Sequence, residues 1–113
     1  MPDPSRGEVW MASLSPVIGH EQDGDRPVIV VSVDMLNHGP ADLVIVVPGT
    51  KYNKKQPLHV QVNHPEAGLQ MTTYFKPEDV RSISKKRLIR YLGKASPASL
   101  EKISDHLKIL MGH

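Results

Sequence analysis

The spacing of the apolar runs constrains this chain more than any other feature. Val28 to Val33, Leu43 to Val47, Leu58 to Val62, Met71 to Phe75 and Val80 to Ile83 are short runs, β-branched or alternating, which is the pattern of strands. Glu8 to Leu14 joins them as a first strand, with Trp10, Ala12 and Leu14 on one face. Nearly continuous runs such as the second and third also suit a parallel α/β sheet, but the spacers are too short for the crossover helices such a sheet needs. Only the C-terminus reads as a full helix. Leu100, Ile103, Leu107 and Leu110 recur at helical spacing, Ser96-Pro97 offers an N-cap and an N1 proline, and Gly112 offers a stop. The expected fold is mainly β with helices: a small, strongly bent sheet or open barrel with a C-terminal helix over 96–111 packed against it.

Local signals refine this outline. Asp34 to Asn37 reads as one helical turn capped by Asp34. Pro48-Gly49-Thr50 is expected to stop the third strand and open a lysine-rich loop through Lys55. In Leu58 to Val62, alternation sets Leu58, Val60 and Val62 inward and His59 and Gln61 outward. Pro77 has no amide hydrogen, so its junction with Lys76 is expected to be an edge, bulge or bend. Ser84 to Leu88 fits a helical turn, and Ile89 to Ala95 a last strand.

At 113 residues the chain has room for one core, so a single domain spanning 1–113 is expected, with 1–5 as a flexible lead-in. No run is long enough to span a bilayer, and the first residues lack the apolar stretch of a signal peptide. With no cysteine at all, disulfides and thiolate metal sites are excluded, which fits a cytoplasmic protein. The net charge is only +2, yet Lys51, Lys54 and Lys55 cluster, as do Lys85, Lys86, Arg87 and Arg90. Such clusters are ordinary solvated faces or, together, a shallow basic surface for a polyanion.

The six histidines are scattered without an HExxH pair, and no metal site or cofactor is expected. Phosphate-loop, dinucleotide and serine-elbow motifs are missing too. What remains is a polar set at strand ends. The segment Gly19 to Asp25 carries His20, Glu21 and Gln22 and leads through Arg26-Pro27 into the second strand. Thr50 ends the third. Lys76 and Glu78 flank Pro77, and in an extended segment they project to one side, as an exposed ion pair or as a cation and carboxylate beside a phosphate.

Taken in order, Arg6-Gly7-Glu8-Val9-Trp10, Leu14-Ser15-Pro16, Gly19-His20-Glu21-Gln22, Gly24-x-Arg26-Pro27-Val28, Val46-Val47-Pro48-Gly49-Thr50, Gly68-Leu69, Glu78-x-Val80-Arg81-x-Ile83, Lys86-Arg87-Leu88 and Leu92-Gly93-Lys94-Ala95-Ser96 resemble the MazF/PemK/Kid family of toxin endoribonucleases. The resemblance covers nearly the whole chain and implies a small SH3-like barrel with a C-terminal helix. It implies metal-independent cleavage of single-stranded RNA at a short sequence. There the ribose 2′-hydroxyl attacks its own 3′-phosphate, leaving a 2′,3′-cyclic phosphate and a 5′-hydroxyl and arresting translation and growth.

Carried over residue by residue, the resemblance makes Arg26 a phosphate-binding or protonating group and Thr50 a hydrogen-bond partner of the phosphate. Glu78 falls at the position of an acidic base, Lys76 where some relatives place an arginine, and His20 where part of the family has histidine. Gln22, Lys51, Tyr52 and Asn53 become RNA contacts. This chain departs from the family at Lys76, which lacks the bidentate fork of arginine, at Thr72-Thr73, at Glu78-Asp79 and at Ser84. The implied partners are a second copy of the chain in a homodimer and a cognate MazE-like antitoxin. A non-catalytic toxin of the same fold, like the CcdB gyrase poisons, and a degenerate RNA-binding relative are the alternatives.

Overall fold

The computed structural model describes residues 3–14 and 24–113. In chain order the elements are β1 (Glu8–Ser13), β2 (Asp25–Val30), α1 (Asp34–Asn37), β3 (Leu43–Thr50), β4 (Val60–Val62), β5 (Thr73–Phe75), β6 (Arg81–Ser84), β7 (Leu88–Lys94) and α2 (Pro97–Met111). Short 3-10 turns lie at Glu66–Gly68, Pro77–Asp79 and Lys85–Arg87. The strands pair antiparallel in the order β4-β5-β3-β2-β1-β7, and β6 also pairs β3. β6 takes residues 43–46 of β3 and β5 takes residues 49–50. One strand therefore carries three partners, and the sheet curls around it. The bent β-sheet with a C-terminal helix expected from the sequence is the fold observed.

The central strands are covered on both faces, which is why β2 and β3 read as unbroken apolar runs. Val9, Ile29, Val47, Val60, Val62 and Phe75 form one core with Ile103 of α2. Trp10, Ala12, Leu14, Val28, Val30, Val44, Val46, Ile83 and Leu88 form the other, inside the curl. The turn at Glu66–Gly68 lies so close to β7 that a Cβ on Gly68 would meet the Leu92 carbonyl oxygen at 2.0 Å, which leaves room for glycine alone.

The terminal helix starts and stops as the sequence suggests. Ser96 Oγ accepts the Ser99 N–H at 3.1 Å, Pro97 is the first helical residue, and Gly112 closes the helix at φ 76°. Leu110 departs from the expected buried stripe. It is 40% exposed, beside Ile109 at 64% and Met111 at 58%, because the last turn extends past the core.

Three further expectations are corrected. β2 ends at Val30 rather than Val33, since Val31 and Ser32 both turn their N–H groups to the Ile45 carbonyl. Asp34 is not the cap of α1; Val33 holds that position. The Asp34 carboxylate instead accepts the Arg6 N–H at 2.9 Å and Asn37 Nδ2–H at 3.1 Å. The Arg6 bond is the main reason its pKa lies below the usual carboxylate range. Finally, β3 does not stop at Pro48 but runs on to Thr50. The Pro48 carbonyl accepts the Lys76 N–H at 2.9 Å, which ties the chain after β5 to this part of β3.

Candidate active site

Gly49 explains how β3 continues. A Cβ at this position would meet Thr73 Cγ2 at 2.4 Å and the Phe75 ring at 3.2 Å, so the absent side chain lets β5 lie against β3. The registers Val60↔Phe75↔Gly49 and Gln61↔Tyr74↔Thr50 then fix two adjacent rows. Alternation turns Phe75 and Val60 into the core. Gln61, Tyr74 and Thr50 fall on the opposite face of this part of the sheet. His59, Lys76 and Pro48 share that face, one row along.

On the other side of β3, the β2–β3 ladder ends at Val28 and Pro48; Arg26, paired with Ala12 of β1, and Thr50, paired with Tyr74 of β5, lie just beyond it and line one cleft. Arg26 Nη1 donates to the Gly49 carbonyl at 3.3 Å. Thr50 is only 2% exposed, and its Oγ1 accepts the Tyr52 N–H at 3.2 Å, which turns the chain out of the strand. Both residues therefore sit on paired strands rather than on a loop, and strands hold side chains more exactingly than loops do.

A cleft of about 400 Å³ opens beside them. Arg26, Thr50, Lys51, Tyr52, Asp25 and Arg90 supply its polar lining, while Met11, Leu69, Met71 and Leu92 supply apolar walls. Lys51 Nζ sits 5.4 Å from the centroid of the Tyr52 ring, a cation–π contact that leaves the ring exposed. The volume suits a ligand of nucleotide size, and three cations against one carboxylate favour an anion.

The other sequence-predicted residues lie elsewhere. Lys76 and Glu78 do not line the cleft and do not pair with each other. Pro77–Asp79 coils into a 3-10 turn, whose three-residue period brings Lys76 Nζ to Asp79 Oδ2 at 2.8 Å. Glu78 Oε2 instead meets His59 Nε2 at 2.6 Å. His59 lies on the expected face of β4's entry, but that face is covered there, and its side chain is 6% exposed. Asn53 Oδ1 is occupied by the Lys55 N–H at 2.9 Å, so it shapes the loop. His20 and Gln22 lie outside the described residues.

Sequence reasoning missed Asp25, Arg90 and His59. Arg90 belonged to a basic cluster that the fold divides. Lys85 Nζ is bonded to Asp3 and to the Gly39 carbonyl, and Arg87 to the Ser13 carbonyl, while Arg90, opposite Met11 on β7, reaches the cleft. That placement depends on the β2-β1-β7 order, which no local signal carries. Among the described residues, no three His, Asp or Glu side chains gather as metal ligands would.

Residues 5–111 match the family model of the PemK-like, MazF-like toxins of type II toxin–antitoxin systems. The chain is 36% identical over 109 residues to the endoribonuclease MazF9 of Mycobacterium tuberculosis, covering 92% of both chains. It is 32% identical over 105 residues to the endoribonuclease EndoA of Bacillus subtilis, covering 92% of this chain and 90% of that one. Among solved structures, MazF from Deinococcus radiodurans superimposes with a TM-score of 0.89 at 25% identity over all of both chains. A mycobacterial endoribonuclease in complex with its cognate antitoxin does so with a TM-score of 0.79 at 27% identity, covering 99% and 96%. With these likenesses covering nearly its whole length, the chain belongs to the PemK-like, MazF-like toxins of type II toxin–antitoxin systems.

Proposed function

We propose that this chain is the endoribonuclease toxin of its pair and cleaves single-stranded RNA at a short sequence by transesterification, in the cytoplasm and without a metal. The observation that carries the reading is that Arg26, bonded to the Gly49 carbonyl, and the adjacent Thr50 line one cleft of nucleotide size. Arg26 and Thr50 hold the scissile phosphate, whose crowded charge in the transition state is where electrostatic stabilisation acts most strongly. Glu78, on the 3-10 turn that follows β5, takes the 2′-hydroxyl proton as the 2′-oxygen bonds to phosphorus. The bond from phosphorus to the 5′-oxygen breaks, and that oxygen leaves with a proton drawn from solvent. Lys51 and Tyr52 at the rim bind the flanking nucleotides, by charge and by stacking, with Gln22 as a further RNA contact and His20 as a further catalytic group.

The chain works as a homodimer restrained by a MazE-like antitoxin. Ile89 and Tyr91 on β7, which ends the sheet, are 50% and 49% exposed, and Ile109 and Met111 add apolar surface at the end of α2. A second copy covers such surface.

The test is incubation of the purified, antitoxin-free protein with a long RNA in EDTA. The reading expects cuts that leave 2′,3′-cyclic phosphate and 5′-hydroxyl ends, lost in a folded R26A variant. RNA left intact by the wild type would overturn it and favour a toxin that only binds.

A further inference from the structure

We infer that His59 is a positioning residue for RNA cleavage, holding the Glu78 carboxylate in its working orientation. The inference rests on the reading of Glu78 as the base that takes the 2′-hydroxyl proton. Three observations carry it. The His59 Nε2 to Glu78 Oε2 distance is 2.6 Å, at the short end for a hydrogen bond with an ionised partner. The imidazole is almost wholly enclosed, at 6% exposure, whereas Glu78 is 35% exposed and stays open to a substrate. Nδ1 of His59 is buried and has no hydrogen-bond partner among the described residues.

The third observation favours one tautomer. A neutral imidazole has one N–H and one bare nitrogen. With Nδ1 facing no acceptor, the hydrogen belongs on Nε2, where it donates to Glu78. Oε2 is thereby occupied, and Oε1 is left to receive the proton from the ribose. A glutamate on a 3-10 turn has three rotatable bonds, so without this contact its carboxylate samples many orientations. The backbone that carries His59 is itself fixed. His106 of α2 donates from Nδ1 to the Leu58 carbonyl at 2.7 Å, His59 N–H donates to the Gln56 carbonyl at 3.0 Å, and Val60 is 1% exposed in the core. The helix is thus linked through β4 to the carboxylate. An imidazole at this place serves no core-packing purpose that leucine would not serve better, given its bare buried nitrogen.

The test compares H59L, H59Q and E78Q under saturating RNA, with circular dichroism and thermal melts confirming folding. Glutamine reaches the Nε2 position with an N–H donor, and leucine does not. H59L should lower kcat by about 10–100-fold, a part of the about 10²–10⁴-fold that a general base supplies, with KM little changed. H59Q should restore most of that loss, and H59L added to E78Q should cost nothing further. Imidazole ¹⁵N shifts of the wild type should show a hydrogen on Nε2 and none on Nδ1. Wild-type kcat in H59L, or a hydrogen on Nδ1, would overturn the inference while leaving the cleavage reading standing. RNA untouched by the wild type would overturn both.

Discussion

The two ends of the polar sheet face are held by different physics. At the β2–β3 end, Arg26 and Thr50 are each held in a paired strand and line one cleft, and Thr50 is nearly inaccessible. At the β5 exit, Glu78 and Asp79 lie on a single 3-10 turn that Lys76 precedes, and the three choose partners by charge and reach. Lys76 takes Asp79, and Glu78 takes a histidine 19 positions away. The first end is positioned by the backbone and tolerates little change in the strands. The second is positioned by side-chain pairs, so its geometry is lost one pair at a time.

Substitutions break this contrast in a graded way. The largest effect is expected at Arg26, where R26A should lower kcat by about 10²–10³-fold, the usual consequence of removing a preorganised donor to a developing anion. Its melting temperature should stay close to that of the wild type, and single-turnover RNA cleavage measures the loss.

At the other end the expected effect is on stability and is asymmetric. D79A leaves the Lys76 ammonium, at 8% side-chain exposure, buried without its carboxylate. It should cost about 2–4 kcal/mol, less than the full penalty of a wholly enclosed pair because Asp79 is partly hydrated. K76M removes the charge and keeps the volume, so urea denaturation should show it close to neutral.

A smaller loss, about 1 kcal/mol, is expected for S96A, which removes the side-chain cap of α2. The smallest effect is a pH dependence. Burial works against the Glu66 carboxylate, but bonds from the Ser96 N–H at 3.0 Å and the Ser99 hydroxyl at 2.7 Å outweigh it and hold its pKa below the ordinary 4.5. A depressed folded pKa means stability that is fully present above the unfolded value and lost as pH falls through the folded one. Melts between pH 6 and pH 3 should therefore show E66Q losing less stability than the wild type.

The same contrast marks what the sequence could reveal. Strand existence was legible wherever burial dictates pattern, as in Trp10, Ala12 and Leu14 on one face of β1 and in the doubly covered runs of β2 and β3. The helix was legible from its caps. Arg26 and Thr50 were legible as residues near strand ends, and the role proposed for them came from the family resemblance. The continuation of β3 through Pro48 and Gly49 was not, since both residues signal a turn locally. Only the approach of Thr73 and Phe75, far along the chain, makes glycine fit a strand there. The Lys76–Glu78 pairing failed for a related reason. It assumed an extended segment, and Pro77 opens a 3-10 turn instead. His59 was assigned to the correct face, but whether a face is open or covered depends on what packs there, and alternation is silent on that.

The central claim is that Arg26 and Thr50 act together on one phosphate. Single-turnover cleavage of a defined oligonucleotide by R26A, T50A and the double variant tests it most directly, with product ends identified. The account predicts that either change alone removes most of the rate and that the double variant is much less impaired than the product of the two losses, with residual product still ending in a 2′,3′-cyclic phosphate. Wild-type rates in folded R26A, or losses that multiply independently, would contradict it.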